Sequence, residues 1–250
     1  MSRRPSFPAR LDLPPGQPAP RRTPPGPPAA SGIGLDSGAV RARMVHKLRQ
    51  QGISDERVLD AMAGVERHRF VDSALVNQAY EDTSLPIGLG QTISKPNVVA
   101  RMLELLLGPG GEGASRLGRV LEIGTGCGYQ AAVLARVAAE VYSIERLRGL
   151  HDKARENLRP LRLRNVHLLF GDGMAGFARG APYAGIIAAA GGDAIPQAWI
   201  EQLAVGGRIV APTVIAGGRQ ALVVIEKTPR ELKQTVLEAV HFVPLKSGIA

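Results

Sequence analysis

Residues 119–145 read RVLEIGTGCGYQAAVLARVAAEVYSIE, and this stretch decides the fold. A β-branched run at 120–123 meets the glycine-rich turn Gly124-Thr125-Gly126-Cys127-Gly128, and an alanine- and leucine-rich segment of helical character follows. A second apolar run, Val141-Tyr142-Ser143-Ile144, ends on Glu145. Strand, tight turn, helix and strand in that order make one right-handed βαβ unit with parallel strands. Glycines at such a turn bring backbone N–H groups close to a ligand, and the helix start beyond it carries partial positive charge. An acidic residue ending the second strand suits a ribose diol, because a carboxylate accepts hydrogen bonds from both hydroxyls. Glu145 stands at the right spacing from Gly124 for that task.

Several nucleosides would suit such a unit, so the details discriminate. Dinucleotide enzymes favour G-x-G-x-x-G, in which the third glycine packs helix on strand and the turn receives a pyrophosphate. Here the pattern is G-x-G-x-G, with Glu122 two residues before the first glycine. A carboxylate there repels a pyrophosphate and suits a cationic or amino-bearing ligand. Acidic strand end plus G-x-G-x-G resembles motif I of the S-adenosylmethionine-dependent methyltransferases. A plain chain reversal with a solvated strand end is the competing reading of the glycines alone.

Working outward, 250 residues suffice for one large α/β domain with a well-filled core. The expected organisation is a Pro/Arg-rich disordered tail at 1–38 and a methyltransferase domain at 39–250. Within the domain, a helical cover at 41–107 precedes a cofactor-binding sheet at 119–250. In the tail, ten of the 19 prolines fall in the first thirty residues beside Arg3, Arg4, Arg10, Arg21 and Arg22, with too little apolar surface to offset the entropy of ordering. Ser2-Arg3-Arg4 has no apolar run behind it, which argues against export. Met44 opens the recognisable domain and is a candidate alternative start. No run reaches the length of a membrane span. The lone Cys127 excludes an internal disulfide and fits a reducing, cytoplasmic compartment. The five histidines show no metal-ligand spacing, so no metal is expected. A net charge of +9 invites a nucleic-acid reading, but part of it lies in the tail and aromatics make up only 4% of the chain. A solvated basic face and a monomer without a dedicated nucleic-acid function are expected.

Between tail and motif, residues 41–72 read as helices, with Ser54 as the N-cap of one that carries Val58, Leu59, Met62 and Val65 on one face. Residues 80–96, YEDTSLPIGLGQTISKP, form a long polar loop whose apolar residues argue for order. A helix from Pro96 to Leu107 follows, with Ser94 as its simplest N-cap and free helix-start amides beside it that suit a carboxylate. After the motif come strands at 165–170 and 184–190, a helix at 196–204 with Trp199 in the core, a strand after the turn at 205–207, and a closing hairpin at 220–226 and 235–243. The elements add up to an α/β, doubly wound, mostly parallel seven-stranded sheet of Rossmann-like methyltransferase type with an N-terminal helical cover.

Taken in order, MVHKLRQQGISDERVLDAM, HRFVDSAL, AYEDTSLPIGLGQTISKPNVVARMLELL, VLEIGTGCGYQAAVLA, VYSIER, GDG, APY, IPQAWIEQLAVGGRIVAP and FVPL resemble the protein-L-isoaspartate O-methyltransferases over about residues 44–245. The LPIGLGQTISKP loop is the discriminating part. The resemblance implies methyl transfer from S-adenosyl-L-methionine to the free α-carboxylate of L-isoaspartyl residues in damaged proteins and peptides, the ester then collapsing to a succinimide. It also implies that Ser94 is the active-site serine, with Thr92 and Ile93 shaping the acceptor pocket. Glu122, Gly124, Thr125, Gly126 and Glu145 then stand at cofactor positions, and Asp172 and Gly173 at the adenine contact. Asp82 matches a family acidic position without an assigned role. A carboxylate is already ionised and nucleophilic near neutral pH, so the chemistry asks for orientation rather than a strong base. Two departures stand out. Cys127 replaces a frequent serine, and Ala184-Gly185 replaces a frequent Asp-Ala pair, which bears on the support of the cofactor pocket. A methyltransferase with a nucleic-acid or small-molecule acceptor, and a non-catalytic cofactor-binding module, are the alternatives.

Overall fold

A computed structural model describes residues 38–109 and 116–250 of the chain. The expected tail at 1–38 lies outside the described residues except for Gly38, which opens the first helix. The element order is α1 (Gly38–Gln50), α2 (Glu56–Ala63), β1 (Leu85–Gly88), β2 (Gln91–Ile93), α3 (Pro96–Leu107), β3 (Leu117–Ile123), α4 (Tyr129–Val137), β4 (Ala138–Glu145), α5 (Arg148–Leu158), β5 (Val166–Phe170), β6 (Tyr183–Ala188), α6 (Gln197–Gln202), β7 (Leu203–Val214), β8 (Gln220–Lys227) and β9 (Leu232–Val240). Met44 lies inside α1 and is buried, so the helix starts ahead of it.

Seven strands form one sheet in the order β5-β4-β3-β6-β7-β8-β9. The run from β5 to β7 is parallel, and β8 and β9 close it antiparallel. Alternation along β3 explains the two-sided core. Val120 joins the cluster under α1 to α4, whereas Leu121 and Ile123 join a second cluster with Trp199 and Ile186 on the opposite face. On α3, Val99, Met102, Leu103 and Leu106 are buried at helical spacing. Each such side chain contributes about 1.5–3 kcal/mol of burial as an upper estimate. Register then positions the site: Ile123 faces both Ile144 and Ala188, so Gly124, Glu145 and Ala189 emerge together at the carboxyl edge of the sheet.

Two helix starts differ from the sequence reading. In α2 the cap is Asp55, whose carboxylate accepts from the Arg57 amide, while the Ser54 amide and hydroxyl both donate to Glu104 across the fold. In α3 neither Lys95 nor Ser94 caps. Asp82, from the preceding segment, accepts from the Asn97 amide at 2.9 Å. Residues 80–96, expected as a loop, contain the antiparallel pair β1–β2, with Gly88, Leu89 and Gly90 all at positive φ at its tip.

No helix among the described residues is long and apolar enough to cross a membrane, and no group of His, Cys, Asp and Glu among them suits a metal ion.

Candidate active site

The three glycines of the turn share one physical requirement. Gly124, Gly126 and Gly128 have φ of 89°, 57° and 90°, in the left-handed region that a β-carbon penalises. The turn is tied to the neighbouring strand by the Gly124 and Thr125 amides, which donate to the Ile144 carbonyl at 2.9 and 3.2 Å. Cys127 is buried beneath it, and burial pushes its thiol up to about 11, so it acts as a small apolar filler. The serine-to-cysteine departure is therefore a packing change.

Glu145 does two jobs. Its Oε2 accepts from the Gly126 amide and its Oε1 from the Leu147 amide, both at 2.9 Å. Each oxygen keeps a lone pair that can accept from a ligand hydroxyl at the cleft it lines. Asp172 accepts from the amides of Met174 and Gly248 at 2.8 and 2.6 Å, which fixes Gly173 at the cleft wall and anchors the closing segment. Trp199 is 1% exposed, as expected of a core residue, yet its Nε1 donates to the Gly173 carbonyl at 2.8 Å. The indole thus props the Gly173 wall of the cleft from below, a role with no signal in the local sequence.

Glu122 is placed differently from the expectation. It is fully buried, makes no part of the cleft wall, and lies opposite Ser143 in the β3–β4 register. The Ser143 hydroxyl bonds it and also meets the Thr125 hydroxyl at 2.6 Å. Burial pushes Glu122 up to about 8, against the lowering effect of the Ser143 and Gln130 side chains and aided by the nearby Glu145 charge. A carboxyl group kept neutral here serves as a prop for Thr125 and the turn rather than as a ligand contact.

Three cavities connect through shared residues. A cleft of about 440 Å³ runs between the β1–β2 hairpin, the glycine turn, Glu145, Gly173 and the segment at 243–246. Thr92 lines this cleft and also a narrow neck of about 40 Å³ beside Gly124, Thr125 and Gln130. Ser94 lines the neck and also a groove of about 500 Å³ bounded by Asn97, Arg101, His241 and Phe242. Ile93 is buried between them with its side chain in the neck wall. The Ser94 hydroxyl makes no hydrogen bond to any described residue, so its donor is available at the mouth of the neck.

The departure at Ala184 falls outside this region. Gly185, next to it, pairs with Val120 in the middle of β3, and its missing side chain admits Leu106 of α3. The small Ala189 at the other end of the strand leaves Gly124 its room.

A doubly wound sheet whose G-x-G-x-G turn and acidic second-strand end open on one nucleoside-sized cleft defines an S-adenosylmethionine-dependent methyltransferase. A family model described as protein-L-isoaspartate(D-aspartate) O-methyltransferase matches residues 39–250. A protein-L-isoaspartate O-methyltransferase of Methylibium petroleiphilum is 57% identical over 263 aligned residues, covering 98% of this chain and 96% of the relative. One of Leptothrix cholodnii is 63% identical over 221, covering 87% and 77%. Among solved structures, a protein-L-isoaspartate O-methyltransferase superposes with TM-score 0.74 at 29% identity, covering 84% of this chain and 67% of that one. A Plasmodium falciparum protein in complex with S-adenosyl-L-homocysteine gives 0.69 at 24%, covering 82% and 98%. The chain belongs to the protein-L-isoaspartate(D-aspartate) O-methyltransferase family, and its methyl donor is S-adenosyl-L-methionine.

Proposed function

We propose that the chain methylates the free α-carboxylate of L-isoaspartyl residues in damaged proteins and peptides, with Ser94 as the residue that holds the acceptor. The observation that carries the reading is the place of Ser94, which lines both the neck that leads from the cofactor cleft and the wider groove. The bound donor supplies an electrophilic methyl group on a sulfonium. Glu145 is assigned the ribose hydroxyls, the Gly124–Gly126 turn the donor's amino-acid portion, and Asp172 with Gly173 the adenine side. Thr125 belongs to the turn, and Glu122 acts through Ser143 and Thr125 from beneath it. In the groove, the Ser94 hydroxyl donates to one acceptor oxygen and leaves the other free to attack along the neck. Thr92 and Ile93 narrow that approach to a single direction, which is where the rate comes from when no base is needed. A fixed cation on both oxygens would stabilise the ground state instead; a neutral hydroxyl does not. The single buried cysteine supports work in a reducing cytoplasmic setting, and the acceptor groove needs no second copy of the chain, so a monomer suffices.

Methyl transfer from labelled S-adenosylmethionine to paired isoaspartyl and aspartyl peptides tests this. Selective labelling of the isoaspartyl peptide is expected. With Ser94→Ala, kcat/KM falls about tenfold to a hundredfold through loss of a hydrogen bond to a charged oxygen, while S-adenosylhomocysteine affinity is unchanged. Equal labelling of both peptides sinks the assignment.

A further inference from the structure

At the opposite edge of the sheet from the cleft, a second cavity of about 500 Å³ is lined by Arg57, Arg116, Arg136, Arg162 and Arg164, with Asp60 at its rim. The five come from separate places: Arg57 from α2, Arg116 from the residue before β3, Arg136 from the last turn of α4, and Arg162 and Arg164 from the turn before β5. These are the amino ends of the parallel strands. The seven residues of β3, at about 3.3 Å each, separate the cavity from the glycine turn by roughly 20 Å. Arg57 is paired with Asp55. The side chains of Arg116, Arg136, Arg162 and Arg164 have no hydrogen bond or ion pair to any described residue.

Four unpaired guanidinium groups around one concavity repel each other, and nothing in the packing of the fold rewards their convergence. All four are exposed, and two of them carry a local feature. Arg162 occupies φ 48°, a left-handed conformation that favours glycine or asparagine over a long side chain. The Arg136 guanidinium lies over Gly64, where a β-carbon would come within 2.3 Å of Cζ. A guanidinium is a planar fork of N–H donors whose geometry matches phosphate oxygens, and several of them converging suit a ligand with several phosphates in a small volume. No aromatic side chain lines the cavity, so it offers no platform for stacked bases.

We infer that this cavity is a binding site for a compact polyphosphate, held by Arg116, Arg136, Arg162 and Arg164 at a distance from the methyl-transfer site. The site is independent of the acceptor assignment above, because it shares no residue with the cleft, the neck or the groove.

Isothermal titration of the full chain with sodium tripolyphosphate tests this, with orthophosphate as the single-phosphate comparison. Saturable one-to-one binding is expected, with orthophosphate at least a hundredfold weaker. Arg136→Gln and Arg164→Gln each weaken tripolyphosphate about tenfold, the loss of one charge-assisted hydrogen bond. Both variants keep wild-type methyl transfer to an isoaspartyl peptide, which shows that they are folded. The S-adenosylhomocysteine isotherm is unchanged by saturating tripolyphosphate. The inference is overturned by absence of saturable binding, by equal binding in both variants, which would place the anion on other arginines of the chain, or by displacement with S-adenosylhomocysteine. It is also overturned if an eight-nucleotide single-stranded RNA binds more tightly with the same dependence on Arg136 and Arg164, which would make the cavity part of a nucleic-acid face.

Discussion

Replacing Glu122 by glutamine is expected to change the pH dependence of stability more than stability itself. In the fold, burial raises this carboxyl from 4.5 to about 8, whereas in the unfolded chain it returns to its ordinary value. The sign follows: a group that binds its proton more tightly when folded stabilises fully below pH 4.5 and loses that contribution as pH rises through the folded value. Between pH 6 and pH 9 the loss is roughly 2–3 kcal/mol, which for a domain of this size is about 5–10 °C in melting temperature. Glutamine has nearly the shape of the neutral acid and cannot titrate. It keeps an acceptor oxygen for the Ser143 hydroxyl, although the unpartnered Glu122 Oε1 position gains nothing from the change. The assay is thermal melting of wild type and Glu122→Gln at intervals across that range, read as the difference between the two curves so that other titrating groups cancel. The melting temperature of the variant relative to wild type should rise steadily from pH 6 to pH 9. Parallel curves would mean that Glu122 does not take up its proton on folding, and the account of it as a neutral prop would be wrong.

Three further outcomes follow from the same geometry. Asp82→Ala removes the remote cap of α3, costs about 1 kcal/mol, and raises KM for an isoaspartyl peptide in steady-state assays without altering S-adenosylhomocysteine affinity; an unchanged KM would disconnect the cap from Ser94. Trp199→Phe leaves the Gly173 carbonyl without its donor, at a cost of about 1–3 kcal/mol, and should weaken S-adenosylhomocysteine in calorimetry despite the residue lying outside the cleft. Glu145→Ala orphans the Gly126 and Leu147 amides and removes the proposed ribose acceptor, so S-adenosylhomocysteine affinity should fall at least tenfold by the same measurement; wild-type affinity would remove Glu145 from the site.

What the sequence made legible was local. The β3–turn–α4–β4 unit is contiguous, its glycines announce their positive φ, and its alternation of apolar residues orders both faces of the sheet. The burial of Glu122 was within reach of the same alternation, since it shares parity with Val120 and so faces the helices rather than the cleft. The β1–β2 hairpin was hidden for a physical reason. Its strands are three and four residues long, Pro86 sits in one of them, and the pairing has an irregular register beyond it, so no period-two signal can accumulate. The cap from Asp82 and the prop from Trp199 are long-range contacts, joining positions 15 and 26 residues apart, and nothing in either neighbourhood points to its partner. A local rule therefore selected Ser94 as the cap of α3, because a serine near a helix start is the cheapest explanation until the fold supplies a better acceptor.

That substitution of caps matters for function, since it leaves the Ser94 hydroxyl unspent. The segment that carries the serine is instead held from behind. Arg67 is completely buried, donates to the Ala79 carbonyl at 2.7 Å, and lies 4.9 Å from the centre of the Tyr129 ring. Burial lowers its affinity for a proton, but an arginine stays charged, and the ring face and carbonyl oxygen replace the carboxylate that such a charge would ordinarily demand. Tyr129 is the first residue of α4, directly after the glycine turn, while Ala79 leads into Asp82 and the hairpin. Lys153 of α5 adds a second tie, donating to the Ile87 carbonyl at 2.9 Å. The glycine turn and the segment leading to Ser94 are thus tied through the buried Arg67 and Tyr129, with the half-buried Lys153 bracing the hairpin from α5. Under the proposed assignment an in-line transfer needs the distance between those two parts to be fixed, and Arg67 and Lys153, which line none of the three cavities, help to fix it.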